Sequence, residues 1–175
     1  MAIKTKLGSM AQITNLRSVW PNEASDFTPW LAKNMELLNE ATGLSLELME
    51  QESSVGSFSL DVLAQETDTG ANAVIENQLE GTNHDHLGKL LTYAAGKEAK
   101  YIIWIVKSAR DEHRTAIEWL NRNTTDGIGF FLLEIQLWSI DGSAPAPRLN
   151  IVEQPNDWAK IIKRPSGSQG DAAVQ

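Results

Sequence analysis

The stretch "FSLDVLAQETDTGANAVIENQLEGTNHDHLGKLLTY", Phe58 to Tyr93, places acids where a core is expected. Asp61 lies among Phe58, Leu60, Val62 and Leu63, and Glu76 and Gln78 follow Ala73, Val74 and Ile75. A polar group inside an apolar strand costs free energy unless it is paired. The alternation predicts two strands, Ser57–Gln65 and Ala71–Glu80, joined by Asp68-Thr69-Gly70-Ala71, with Gly70 free to take a positive φ.

Pairing Asp68 with Ala71 sets Asp61 opposite Gln78 and Leu63 opposite Glu76. Ser59, Asp61, Leu63, Val74, Glu76 and Gln78 then share one face, and Phe58, Leu60, Val62, Ile75 and Leu79 share the other, which is read as core. Asp61, Glu76 and Gln78 fall within roughly 5–8 Å of each other. An odd loop would separate Asp61 from the other two. Alternatively, the polar positions simply face solvent beyond the sheet edge. Two close, partly buried carboxylates repel each other, and a hard divalent cation such as Mg²⁺ (or Mn²⁺) relieves that. Asp61 and Glu76 are therefore candidate metal ligands, with the carbonyl of Asn77 a third and Gln78 beside a water.

On the next helix, expected from Asp85 to Ala95, His86, Lys89 and Tyr93 form one stripe that would flank the acids. Leu87, Leu90, Leu91 and Ala94 form the adjoining apolar stripe. His84, Asp85 and His86 diverge on a helix and lack a further ligand pair, so they do not read as a zinc site.

Working outward, the segment that begins "VWPNEASDFTPW" predicts a helix capped by Ser25 or Asp26, with Pro29 in its first turn and Gly43 closing it. Leu44, Leu46 and Leu48 alternate as in a strand. "KYIIWIVKS" (100–108) is a continuous apolar run suited to a central strand. An amphipathic helix comes next in "RDEHRTAIEWLNRNT", with Ile117, Leu120 and Trp119 read as inward. "IGFFLLEIQLWSI" and "PRLNIVEQ" are strands, and "NDWAKIIK" reads as a last short helix. The order α-β-β-β-α-β-α-β-β implies an α/β (α+β) fold with a mixed sheet flanked by helices.

The chain has 175 residues, 42% hydrophobic and 22% charged, which fits one domain with a real core. Residues 15–163 are read as that domain, 1–14 as a leader, disordered or added, in which Met10 is a candidate native start after nine added residues, and 164–175 as a polar, disordered tail. There is no cysteine, hence no disulfide framework or thiolate metal site, and a reducing cytoplasm is the expected location. No apolar run approaches the ~20 residues of a membrane span. The net charge of −8 argues against a general electrostatic grip on nucleic acid. The six tryptophans read as packing rather than as a stacking platform.

An Asp in one strand, a short turn, Glu-x-Gln in the next and then a helix with polar residues resembles the PD-(D/E)XK nuclease superfamily, whose core is α-β-β-β-α-β. More narrowly, "VIENQLEGTNHDHLGKLLTYAAG" with "WLNRNT" and "PNDW" resembles a family of bacterial proteins of unknown function grouped as DUF4268, over most of the chain after Leu16. The resemblance implies a restriction-endonuclease-like core and Mg²⁺-assisted hydrolysis of nucleic acid, with DNA the favoured partner. Asp61 matches the first motif acid and Glu76 the second. Gln78 stands where the superfamily usually has lysine, and an amide brings no charge. Lys89-x-x-x-Tyr93 stands where related enzymes carry Gln-x-x-x-Tyr, so Lys89 would restore the positive charge. Glu23 is the match to an acid contributed near the first helix, with Glu36 a weaker one, and His86 would be a supporting group or proton shuttle. The missing lysine also admits a catalytically silent nuclease fold serving as a nucleic-acid- or protein-interaction module. The apolar strands 128–140 and 147–154 suggest a homodimer edge.

Overall fold

The computed structural model describes residues 4–156. They form one seven-stranded mixed sheet with helices on both faces. Strands β1 (Met10–Ile13), β2 (Leu46–Val55), β3 (Phe58–Glu66), β4 (Asn72–Gly81), β5 (Tyr101–Ser108), β6 (Gly129–Ile140) and β7 (Ala146–Glu153) lie in the order β1-β6-β5-β4-β3-β2, and β7 pairs with β6. The strands β2, β3 and β4 form an antiparallel meander, and β4, β5 and β6 run parallel. The helices are α1 (Thr28–Lys33), α2 (Met35–Thr42), α3 (His84–Gly96) and α4 (Asp111–Asn123). The α-β-β-β-α-β order read from the sequence is therefore present.

The apolar run of β5 is buried on both faces, as its composition requires. Ile103 and Ile105 join the core under α1 and α2, while Ile102, Trp104 and Val106 join the core under α3 and α4. Asn83 caps α3, its side chain accepting the His86 N–H at 2.8 Å. The first helical segment differs from its expected form. Asn22 is the cap, accepting the Ser25 N–H, a wide turn over Glu23–Phe27 leads into α1, and Asn34 interrupts the run before α2. Gly43 closes α2 at φ 76°, as expected.

The hairpin register is offset by two residues from the one the turn residues suggested. Its last ladder pair is Gln65 with Asn72. Glu66 causes this: its carboxylate accepts both the Thr69 N–H and the Thr69 hydroxyl, and its carbonyl accepts the Gly70 N–H at 2.8 Å. The loop length remains even, so Leu63 and Val74 still share a face. Val62 now pairs with Ile75, and Asp61 arrives beside Glu76 rather than Gln78.

Four further expectations are corrected. Phe58, read as core, is 58% exposed, and Leu60 turns into the α3/α4 core with Leu63, so the alternation is lost across Asp61. Trp119 is exposed, and Leu91 partly so. The strand β2 continues well past Leu48, through the polar run ending at Val55. Met10–Ile13, assigned to a leader, pairs with the end of β6. The apolar β6 is covered by β5, β1 and β7, which leaves β7, with Pro147, as the outer edge. The expected helix at 156–163, apart from Asn156, and the tail lie outside the described residues. Among the described residues no helix is long and apolar enough to cross a membrane.

Candidate metal and nucleic-acid site

The backbone ladder between β3 and β4 stops at Val62–Ile75, although both strands continue. Beyond that point carboxylates replace carbonyls as acceptors. The Asp61 N–H donates to Glu76 Oε1 at 3.2 Å, and the Asn77 N–H donates to Asp61 Oδ2 at 2.8 Å. The Leu79 N–H donates to Glu23 Oε1 at 2.9 Å. Three acids thus occupy the fork where β3 leaves β4. This resolves the question posed by their sequence: buried N–H groups need acceptors, and the acids supply them.

The fork is poorly solvated. Glu76 is 3% exposed and Gln78 1%, so neither faces solvent beyond an edge. Burial pushes the Glu76 carboxyl up from 4.5 to about 9, with the adjacent Asp61 charge adding to the rise. Burial likewise raises Asp61 from 3.8 to about 6, outweighing the Asn77 N–H bond. The two carboxyl groups lie close enough for each to alter the protonation of the other.

The other expected residues divide into those at the fork and those held elsewhere. Tyr93 is buried in the α3/α4 core, and its hydroxyl is raised by burial and then by the Glu76 charge. Lys89 also feels Glu76, but its ammonium is paired with Asp85 at 3.2 Å, and that bond is the main cause of its raised pKa. His86 sits at the α3 start with Nδ1 3.1 Å from Asn83 Oδ1; burial and Lys89 lower its pKa. Gln78 donates from Nε2 to the Gly81 carbonyl at 2.8 Å, and its Oε1 is buried without a partner. The side chain of Asn77 points the other way, donating to Thr28 Oγ1 at 3.0 Å. Glu23 is reached by Arg17 at 3.2 Å, whereas Glu36 is exposed in the first turn of α2.

One acid escaped sequence reasoning. Glu52 has φ 50° within β2, accepts the Ser59 hydroxyl at 2.9 Å, and contributes to the rise at Asp61. Only an earlier recognition that β2 runs to Val55 would have found it. Among the described residues, no group of three His, Cys, Asp or Glu side chains is arranged to hold a metal ion. The oxygen donors at the fork are the carboxyl groups of Asp61 and Glu76, with that of Glu23 held on the Leu79 N–H. That set suits Mg²⁺, which takes one or two carboxylates and keeps several waters.

No family model matches the chain, so the resemblance to DUF4268 stands on its quoted residues. No curated protein matches either. Two solved structures are similar to it. One is a repair endonuclease from Pyrococcus abyssi, at 13% identity and TM-score 0.44, covering 53% of this chain and 41% of that one. The other is an EndoMS–dsDNA complex, at 18% identity and TM-score 0.46, covering 62% of this chain and 43% of that one. The chain spans less than half the length of each.

Proposed function

We propose that the chain is a divalent-metal-dependent nuclease domain that hydrolyses phosphodiester bonds of nucleic acid, with DNA as the favoured substrate. The observation that carries this reading is the hydrogen bond that ties partly buried Asp61 to the buried Glu76 carboxyl group at the fork of β3 and β4. Buried acids that share a site are costly without a cation, and the PD-(D/E)XK resemblance assigns these two positions to metal binding. Asp61 and Glu76 would hold Mg²⁺ or Mn²⁺, with the Asn77 carbonyl as a third ligand. The cation would supply positive charge to the phosphate and acidify water. Hydrolysis joins the water oxygen to phosphorus, breaks one ester P–O bond, and passes a proton to the departing alkoxide.

The chain's own residues would position these participants. Gln78 Oε1, buried and unpartnered, would accept a hydrogen bond from water without removing its proton. Lys89 would turn from Asp85 toward the phosphate. Glu23 holds the β4 end of the fork through the Leu79 N–H. Tyr93 and His86 border it as supporting groups.

A second reading is favoured by one specific observation: Lys89 is already paired with Asp85, and Gln78 carries no charge. On that reading the fold is catalytically silent and binds nucleic acid or protein.

A Mg²⁺ and Mn²⁺ titration followed by thermal unfolding separates these readings. The nuclease reading expects the cation to raise the melting temperature of the wild type and not of Asp61→Ala. It also expects cleavage of single- or double-stranded DNA or RNA to disappear in both Asp61→Ala and Glu76→Gln. No cation-dependent shift in the wild type would remove the metal centre. A shift without cleavage would leave the silent reading.

A further inference from the structure

Beside the fork lies a cleft of about 350 Å³ between the β2–β3 hairpin tip and α3, whose lining includes Phe58, Asp85, Gly88, Lys89, Thr92 and Tyr93. Two of its features lack a structural reason. Phe58 presents a ring that is 58% exposed. Gly88 interrupts the middle of α3, where glycine weakens a helix relative to alanine. No packing demands it, because a Cβ there would meet nothing within 4 Å. By contrast, a Cβ at Gly96 in the same helix would come within 2.5 Å of Val55 Cγ1. Gly96 therefore lets the hairpin lean on α3, and Val55, paired with Phe58 across the Gly56–Ser57 turn, holds the ring beside the helix.

We propose that Phe58 and the bare helix surface at Gly88 form a slot for one unpaired nucleobase, next to the acid pair, so that the domain engages single-stranded nucleic acid. The proposal rests on the nuclease reading and names its substrate class. Lys89 and Tyr93 line the cleft and also feel the charge of Glu76, which joins the slot to the fork. The choice of occupant comes from the charges. A duplex offers phosphates and hides its base faces, and binding it needs a basic track. This chain carries −8 net charge, and the lysine of the cleft is paired with Asp85. An unpaired strand carries phosphates too, but it also offers base faces, and stacking on an aromatic ring adds a contribution to binding that owes nothing to charge.

The test measures binding, in the presence of Ca²⁺, of a fluorescent oligothymidylate and of an abasic oligonucleotide of equal length. Wild type is expected to bind the base-bearing strand more tightly. Phe58→Ala is expected to weaken that binding about tenfold to a hundredfold and leave the abasic strand unaffected. Gly88→Leu, which fills the cleft with a better helix former, is expected to do the same without lowering the melting temperature. Equal binding of the two strands, or variants that bind as wild type does, would overturn the slot while the cation-dependent thermal shift persists. Failure of wild type to bind either strand would remove both the slot and the nucleic-acid reading. Dissociation of a dimer by Phe58→Ala, with binding unchanged, would assign the ring to a second copy of the chain instead.

Discussion

The Asp61 N–H donates to Glu76 Oε1 at 3.2 Å, which ties the two acids of the fork through the backbone as well as through charge. Asp61 passes the linkage on by accepting the Asn77 N–H. The pair is thus part of the scaffold as well as the candidate site.

The pair makes stability depend on pH in a defined direction. Glu76 rises from 4.5 to about 9 on folding, so between those values the folded chain holds a proton that the unfolded chain has released. Its contribution is complete below about pH 4.5 and is lost as pH climbs through 9. The metal-free protein should therefore lose melting temperature from pH 5 to pH 9. Glu76→Gln, neutral throughout, should flatten that decline and melt higher than wild type at pH 9. An identical decline in the variant would assign the effect to other groups.

Glu23 makes a local prediction. Glu23→Ala removes the acceptor of the Leu79 N–H and should cost about 1 kcal/mol. Hydrogen exchange at the Leu79 amide should accelerate in this variant. Glu23→Gln keeps a carbonyl oxygen and should retain most of the protection. The Arg17 ion pair is partly exposed and should add little.

Thr28 supports Asn77 from α1. Thr28→Val leaves the buried Asn77 amide without its partner, and Asn77 Oδ1 already has none. The expected loss is about 1–3 kcal/mol, seen in urea unfolding. The double variant Thr28→Val/Asn77→Leu should lose less than the sum of the singles.

Two glycines of one helix should respond with opposite signs. Gly88→Ala meets open space and should stabilise α3 by about 1 kcal/mol. Gly96→Ala drives a methyl against the stiff Val55 side chain and should lower the melting temperature by loosening the hairpin. Thermal unfolding of the two variants checks both.

Sequence patterning reached the central elements because their signals are local and dense. The run 100–108 suited a strand buried on both faces, and the spacing of Asp61, Glu76 and Gln78 with an even loop brought the acids together. The register was missed because Glu66 captures Thr69, a side-chain bond that turn preferences do not encode. Phe58 was misplaced because parity assumes an unbroken ladder, and the ladder ends at Val62. The polar second half of β2 carries no apolar alternation, since much of it is exposed. The Lys89–Asp85 pair is legible in the i, i+4 spacing, yet the reading placed Lys89 only on the stripe toward the acids. Nothing in Met10–Ile13 announces a partner near residue 140.

That last pairing has a consequence for how the chain assembles. A ribosome releases β1 before any other strand of the sheet, and its partner segment of β6 emerges only after β2 to β5 and α4. The nascent polypeptide must carry this first strand unmatched until residues 137–140 appear, after the parallel β4–β5–β6 core has already gained its pairing residues 129–134. Long-range closure of this kind slows folding. A truncation that ends before β6 should therefore yield an incomplete, aggregation-prone species rather than a smaller working domain.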